Sequence, residues 1–413
     1  MRKNYLSKQL KHLLAILVVS AILFSCQEDD SVLNISFQTN ENIISEEFAY
    51  EIAENLVSQS SNCYFEASTV KSGKHAKKVK SIKNIKTKKL KNAIYIVNYE
   101  PNGFVLISAD KRMDPILAFS EDNSFQTDTE YPDNLKYWLE STVTQIEYVI
   151  ENNLSQTEEI DLLWEKLVIY PGDGDDEGDD SGDDGGGGSG SDGCTPSTSI
   201  KVYGPYMVTA WDQIHCYNNY CPTMSELGCQ YGGSLGRALT GCIATAMAQV
   251  MRYHEYPDNY NWGIMPNNTI FIPPYDTPSY NEISQLMWDA GLAVGMHYEC
   301  NGSWAFNKHV SRALNNTFGY ANAKLADFSG YIAFRDIKKK RPFIFHGGDH
   351  AWVCHGMRVL NYKLESCYEL TYYQYYMNWG ASGDFDGYYI KGRFNPAGND
   401  FNGHLEMTYN IYK

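Results

Sequence analysis

No basic face and no lysine–arginine stripe with interleaved aromatics runs through this 413-residue chain, so the usual footprint of a nucleic-acid binder is missing. The net charge of −16 has the opposite sign, and much of it is local. Asp173, Asp175, Asp176, Glu177, Asp179, Asp180, Asp183, Asp184 and Asp192 stand between Gly172 and Gly193 without one basic residue. That tract lacks the spacing of an EF-hand loop. Cys216, Cys221 and Cys229 lack a partner set with zinc-ribbon spacing. His346, His350 and His355 do not converge either, because the odd separation of the last two points them to opposite faces of a strand. The expectation is no metal and no cofactor. The apolar run Leu13–Phe24 is too short to span a bilayer comfortably. What is present is a 43% hydrophobic and 14% aromatic composition, enough for a substantial core, in a length that suits about two or three domains.

Arg2, Lys3, Lys8 and Lys11 ahead of that apolar run form the n-region of a signal peptide. The run ends in Leu23-Phe24-Ser25-Cys26, which resembles a bacterial lipobox. Residues 1–25 are then the signal, and Cys26 carries lipid as the mature N-terminus. Gln27-Glu28-Asp29-Asp30 looks like a surface-export tag, which implies a membrane-anchored location at the outer-membrane surface. In an exported chain the nine cysteines left after Cys26 are free to form disulfides, and the odd number leaves at least one unpaired. Their connectivity stays open.

Residues 36–152 read as a small α+β unit. Phe48, Ile52, Leu56 and Val57 give Glu46–Ser58 a helical face, and Lys71–Lys91 reads as a solvated loop or edge. The runs 93–99 and 103–108 form a hairpin about Pro101-Asn102-Gly103, and Leu135–Ile150 is a helix. Residues 153–193 hold the Gly/Asp/Ser tract and read as a linker that buries nothing and extends by its own charge. From 194 to 413 a helical half precedes strand-like runs at 342–345, 351–354, 368–377, 387–390 and 406–411. That order predicts an α+β domain.

The word Thr240-Gly241-Cys242-Ile243-Ala244-Thr245-Ala246 opens a helix that stops before Pro257. A thiol at a helix N-terminus meets the positive end of the macrodipole, which favours thiolate. Taken alone, Cys242 reads more readily as a small buried core residue than as a nucleophile. A thiolate nucleophile needs a base and something to hold that base. Gly347-Gly348-Asp349-His350-Ala351-Trp352 places an imidazole at the mouth of an apolar strand, with glycines that leave it open. Asn378-Trp379-Gly380 sets an amide beside an aromatic at another strand end. The order Gln213, Cys242, His350, Asn378 turns these separate features into one reading.

Those words resemble the C10 cysteine peptidases, the streptopain family, within the papain-like superfamily. Gly103-Phe104-Val105-Leu106-Ile107-Ser108-Ala109-Asp110 is similar to the inhibitory propeptide of that family. The resemblance implies a papain-like catalytic domain behind an inhibitory prodomain, and an endopeptidase made as a zymogen. It implies Cys242 as nucleophile, His350 as acid/base partner, Asn378 as orienter of His350, and Trp379 as the shield of that contact. Gln213 matches the oxyanion-hole glutamine. The implied partners are protein or peptide substrates, the chain's own prodomain as inhibitor, and a membrane through the lipid on Cys26.

Three departures fall around the implied substrate cleft of Gly348, Asp349, Ala351, Ala381 and Trp304. Asp349 replaces a glycine, and a carboxylate there either raises the His350 pKa or crowds the cleft. Ala381 stands where the family carries a second tryptophan, and Trp304 where it carries small residues. Two other readings use the same residues: an acyltransferase or transglutaminase-like enzyme, and an inactive surface adhesin.

Overall fold

The computed structural model describes residues 42–58, 77–168, 197–269, 274, 276–347, 350–363, 369–391 and 405–413. Two compact units divide the chain, Met1–Ile43 and Ile44–Lys413. The signal peptide, Cys26, the Asp/Gly tract and the pair Gly348 and Asp349 lie outside the described residues.

The N-terminal part of the second unit holds α1 (Glu46–Ser58), then β1 (Lys78–Ile85), β2 (Ile94–Glu100), β3 (Phe104–Ser108) and β4 (Ile116–Ser120). Two helices follow, α2 (Asp133–Glu151) and α3 (Glu158–Val168). The strands β2 and β3 are buried on both faces, and the two-residue period assigns each face. Tyr95, Val97, Val105 and Ile107 pack with Ile52 and Leu56 of α1. Ile94, Ile96, Phe104 and Leu106 pack with Leu135, Leu139 and Ile146 of α2. Among the described residues the lysine-rich β1 pairs only with β2 and stays half-exposed, as an edge strand does.

The helix α3 falls within the stretch read as linker from residue 153. Trp164 and Leu167 are buried in the α1 core, and Trp164 Nε1 donates to the Met113 carbonyl at 2.9 Å. Ile160, Leu163, Trp164 and Leu167 recur at helical spacing, a signal overshadowed by the acidic tract that follows.

The C-terminal part begins with β5 (Ser197–Tyr203) and α4 (Cys242–His254), then α5 (Pro278–Val294), the hairpin β6 (His297–Glu299) and β7 (Gly302–Trp304), and α6 (Lys308–Asn316). After β8 (Lys324–Asp327) and α7 (Gly330–Lys338) come β9 (Phe343–Gly347), β10 (His350–Lys363), β11 (Glu369–Asn378), β12 (Gly387–Ile390) and β13 (Glu406–Tyr409). Among the described residues these strands and β1 to β4 form one 11-stranded antiparallel sheet, in the order β1-β2-β3-β4-β12-β11-β10-β9-β13-β8 with β5 on β10. The sheet of the N-terminal part therefore runs directly into that of the C-terminal part through β4 and β12, with Phe119 opposite Tyr388 and Ala118 opposite Tyr389.

The helices α4, α5 and α6 cover one sheet face through Met247, Leu286 and Leu314 against Ile344 and Val353. The opposite face, with Phe343, Phe345 and Trp352, packs under α2 and α7. Two histidines are structural. His346 is hydrogen-bonded to Thr408 Oγ1 at 2.8 Å, and His355 Nδ1 accepts from the Met207 N–H at 3.0 Å. Burial holds both imidazoles down to about 3, neutral at any physiological pH. No helix among the described residues is long and apolar enough to cross a membrane.

Candidate active site

Cys242 is the first residue of α4, and Gly241 ahead of it has φ 87°. That left-handed backbone, with Met296 side-chain atoms and Ser303 O within 3.0 Å of where a Cβ would stand, requires glycine. The tight passage under β7 is what aims the thiol, because Ile243 to Met251 behind it are buried and hold the helix in place. Cys242, Cys216, Cys221 and Cys354 are free among the described cysteines, and of these only Cys242 is not fully buried. Cys229 and Cys300 form a disulfide that ties the preceding loop to the β6–β7 turn.

Cys242 opens into a cleft of ≈ 640 Å³ whose walls include Gln213, His350, Leu239, Ser303, Trp304, Phe306, Asp133 and Asn134. His350 starts β10, half-buried and paired across the sheet with Gly347 of β9. Gln213 lies on the loop before α4, which its own carbonyl anchors by accepting the Thr240 N–H at 3.1 Å. Nucleophile, imidazole and amide thus come from three separate stretches and share one cavity. Ser303 Oγ donates to the Leu239 carbonyl at 2.7 Å and fixes β7 beside the thiol.

The helix terminus does act on the thiol as its place in the sequence predicts, but it is outweighed. Burial pushes the Cys242 pKa above the ordinary thiol value, while N–H groups of Ala351 and Ile243 pull it down and the Asp133 carboxylate pushes it up again. Asp133 belongs to α2, which lies outside the catalytic half of the chain. The net direction is upward, with burial the largest cause and Asp133 a lesser one.

The Asn378 side chain joins three segments behind the thiol. Its Oδ1 accepts from Gln249 Nε2 at 2.9 Å and from the Gly380 N–H at 3.0 Å, and its Nδ2 donates to the Thr209 carbonyl at 2.7 Å. Both lone pairs of that oxygen are engaged. The amide locks α4, the strand end of β11 and the segment before Trp211 together. Gln249, two turns along α4 from Cys242, is a buried polar residue on the same helix face as Cys242 and Thr245, and nothing in its local word marks it.

Trp379 is buried between Trp352, at 5.4 Å between ring centroids, and Tyr389 at 4.9 Å. It lines a narrow crevice with Cys242, Gln213, Gln249 and Asn378. Its backbone N–H donates to Asp386 Oδ1 at 3.0 Å, and its backbone carbonyl accepts from Asn134 Nδ2 at 2.7 Å. Burial lifts the Asp386 carboxyl to about 8. Of the expected cleft residues, Trp304 lines the cavity. Ala351 does not; it is buried towards the helical layer and borders only the crevice. Ala381 lines neither, because the chain turns away after Gly380 and the Ala381 carbonyl accepts the Asp384 N–H within that turn. No cluster of three or more potential metal ligands occurs among the described residues.

Comparison with known proteins adds two domains. The Spi protease inhibitor family matches residues 41–146, and the peptidase C10 family matches residues 211–259 and 258–389. Streptopain from Streptococcus pyogenes is 26% identical over 345 residues, which cover 74% of this chain and 75% of that protein. The thiol protease/hemagglutinin PrtT of Porphyromonas gingivalis is 24% identical over 345 residues, 72% of this chain but 33% of that longer protein. The solved structure of Prevotella intermedia prointerpain A matches with a TM-score of 0.53 at 23% identity, over 81% of this chain and 99% of that fragment. The last likeness shows the fold, with the N-terminal part in place.

Proposed function

We propose, from the premise that the chain belongs to the peptidase C10 family and is a cysteine peptidase made as a zymogen behind a Spi-type inhibitor domain, that Cys242 is its nucleophile and His350 its acid/base partner. The observation that carries this reading is the shared cleft. Cys242, His350 and Gln213 line it together, and Asp133 and Asn134 of the inhibitor domain close it.

In the reaction the Cys242 sulfur, giving its proton to His350, attacks a peptide carbonyl and forms a tetrahedral oxyanion. The Gln213 side-chain amide and the Cys242 backbone N–H donate to that oxygen. His350 then protonates the leaving amine, the thioester remains, and a water activated by His350 releases the acid. Asn378 assists at one remove, by fixing Gly380 and hence the Trp379 loop against α4. Trp379 shields the crevice behind the thiol from water.

An epoxide thiol-protease inhibitor should label Cys242 of the matured chain, in step with its activity on casein. Gln213→Ala should keep that labelling site while lowering kcat about 10²–10³-fold, the usual cost of one oxyanion donor. Folded chain that takes up no label and cleaves no casein would refute the assignment.

We further propose that the enzyme is exported and held on a bacterial membrane through lipid on Cys26. The support is the basic n-region, the short apolar run and the lipobox-like end of the first 26 residues. Cells fed radiolabelled palmitate should incorporate it into the chain, and Cys26→Ser should remove both the label and the partition into detergent. A Cys26→Ser chain that still partitions with membrane speaks for another anchor.

A further inference from the structure

Release of the inhibitor domain uncovers more than the cleft. Across the junction of the two domains, Gly356, Tyr376, Tyr388 and Phe119 lie in one cross-strand row over β10, β11, β12 and β4. The Phe119 ring stacks on Tyr388 with 5.3 Å between centroids. Arg358, two residues along β10 and so on the same face, holds its guanidinium 4.7 Å from the Phe119 ring and 4.4 Å from that of Tyr388. Its Nη2 lies 3.3 Å from Glu121 Oε1. Only 6% of Arg358 is exposed. The strand edge is open to a close neighbour because Gly387 has no side chain: a Cβ there would lie 2.6 Å from the Phe119 carbonyl.

The catalytic domain thus contributes a strand edge, an aromatic shelf and a cation, and the inhibitor domain contributes what they hold: an extended segment with a ring at one position and a carboxylate two positions on. Phe119 is in β4 and Glu121 lies in the bend just past its end, where one arginine meets both. When the inhibitor domain leaves, Phe119 and Glu121 leave with it, and β12 becomes an edge able to take another extended strand. The patch adjoins the active site, since Asp386, which holds the Trp379 N–H, directly precedes β12.

We propose that this footprint is an exosite of the matured enzyme, binding an extended segment of a protein substrate that carries an aromatic residue and, two positions later, a carboxylate. The inference rests on the proposed endopeptidase activity and on departure of the inhibitor domain. It is a binding site outside the cleft and does not alter the chemistry there.

The test uses enzyme matured from the full chain, with three substrates: a short fluorogenic peptide that fills only the cleft, and two unfolded proteins that differ in one distant segment, Phe-Ser-Glu in one and Ala-Ser-Gln in the other. The wild type should cleave the Phe-Ser-Glu protein with a KM about ten-fold lower, the size expected of one ring contact with one charge-assisted pair. Arg358→Gln should erase that preference and leave the short peptide untouched. A synthetic peptide of residues 115–123 should raise the KM of the wild type for the protein but not for the short peptide, and this arm does not depend on how the variant folds. Equal KM values for the two proteins, with no effect of the 115–123 peptide, overturn the exosite and leave Arg358 as a seat for the inhibitor domain alone. A wild type that cleaves not even the short peptide overturns the proposed activity instead.

Discussion

Full-length chain carrying Cys242→Ala should remain full length and cleave no casein, whereas the wild type should shorten itself by a cut within or near the Asp/Gly tract at 172–193. Removing the nucleophile of a covalent mechanism lowers kcat by on the order of 10⁶, so no slow residual processing is expected on a laboratory timescale. Alanine suits the first turn of a helix, and Gly241 and the buried face behind it are unchanged, so α4 should form as before. Chain size on a denaturing gel over hours, beside casein cleavage, reads the result. A variant that still shortens or still cleaves casein places the nucleophile elsewhere.

The second large effect concerns the cover over the site. Asn134→Ala deletes the 2.7 Å bond to the Trp379 carbonyl, which is buried in the closed form. Leaving a buried acceptor without that donor costs about 1–3 kcal/mol, and in the open form water replaces the bond. The closed state alone is therefore weakened, and maturation that proceeds by opening should accelerate by about 5- to 150-fold. Asp133→Asn acts differently. It keeps the shape and removes the charge that raises the Cys242 pKa, so alkylation of the zymogen thiol by iodoacetamide near neutral pH should speed up a few-fold, an effect limited by the exposure of Asp133 to solvent. The sign follows from the thiolate being the reactive form: a lower pKa means more of it at a fixed pH. Unchanged maturation in Asn134→Ala, with the fold retained, would mean that the tie to Trp379 does not hold the cover down.

Both experiments turn on contacts of different legibility. Cys242 at a helix start, His350 at a strand start and Gln213 ahead of the helix stand in local words whose chemistry can be read from a few neighbours, and the structure places all three around one cleft. The helices at 46–58 and 135–150 and the 93–108 hairpin were equally readable, because their apolar positions recur at 3.6 or 2 residues. The strand β4, the strand β5 and the helix α7 were not. Their partners decide them: β4 is buried on both sides by domains that meet only in the folded chain. The disulfide between Cys229 and Cys300 belongs with these, since 71 residues separate its ends and nothing in the spacing selects it among nine cysteines.

Asn378 shows the limit best. An asparagine beside a tryptophan, following a cysteine and a histidine, has the right chemistry to accept a ring N–H. Its oxygen accepts from Gln249, 129 residues away in sequence, and its nitrogen donates to Thr209, 169 residues away, contacts that no local word announces. Asp133 and Asn134 were invisible for the same reason, as 245 residues lie between Asn134 and the carbonyl it holds.

The sequence by itself determined which groups can do the chemistry, because reactivity is a property of side-chain type and of the helix or strand terminus that carries it. Only the tertiary structure decided which of them meet. A hydrogen bond depends on a few tenths of an ångström and on competition among all donors within reach, and that competition is settled by packing between segments far apart in the chain. Cys242 has the position of a nucleophile by sequence, and the fold sets it in a cleft shared with Asp133 and Asn134.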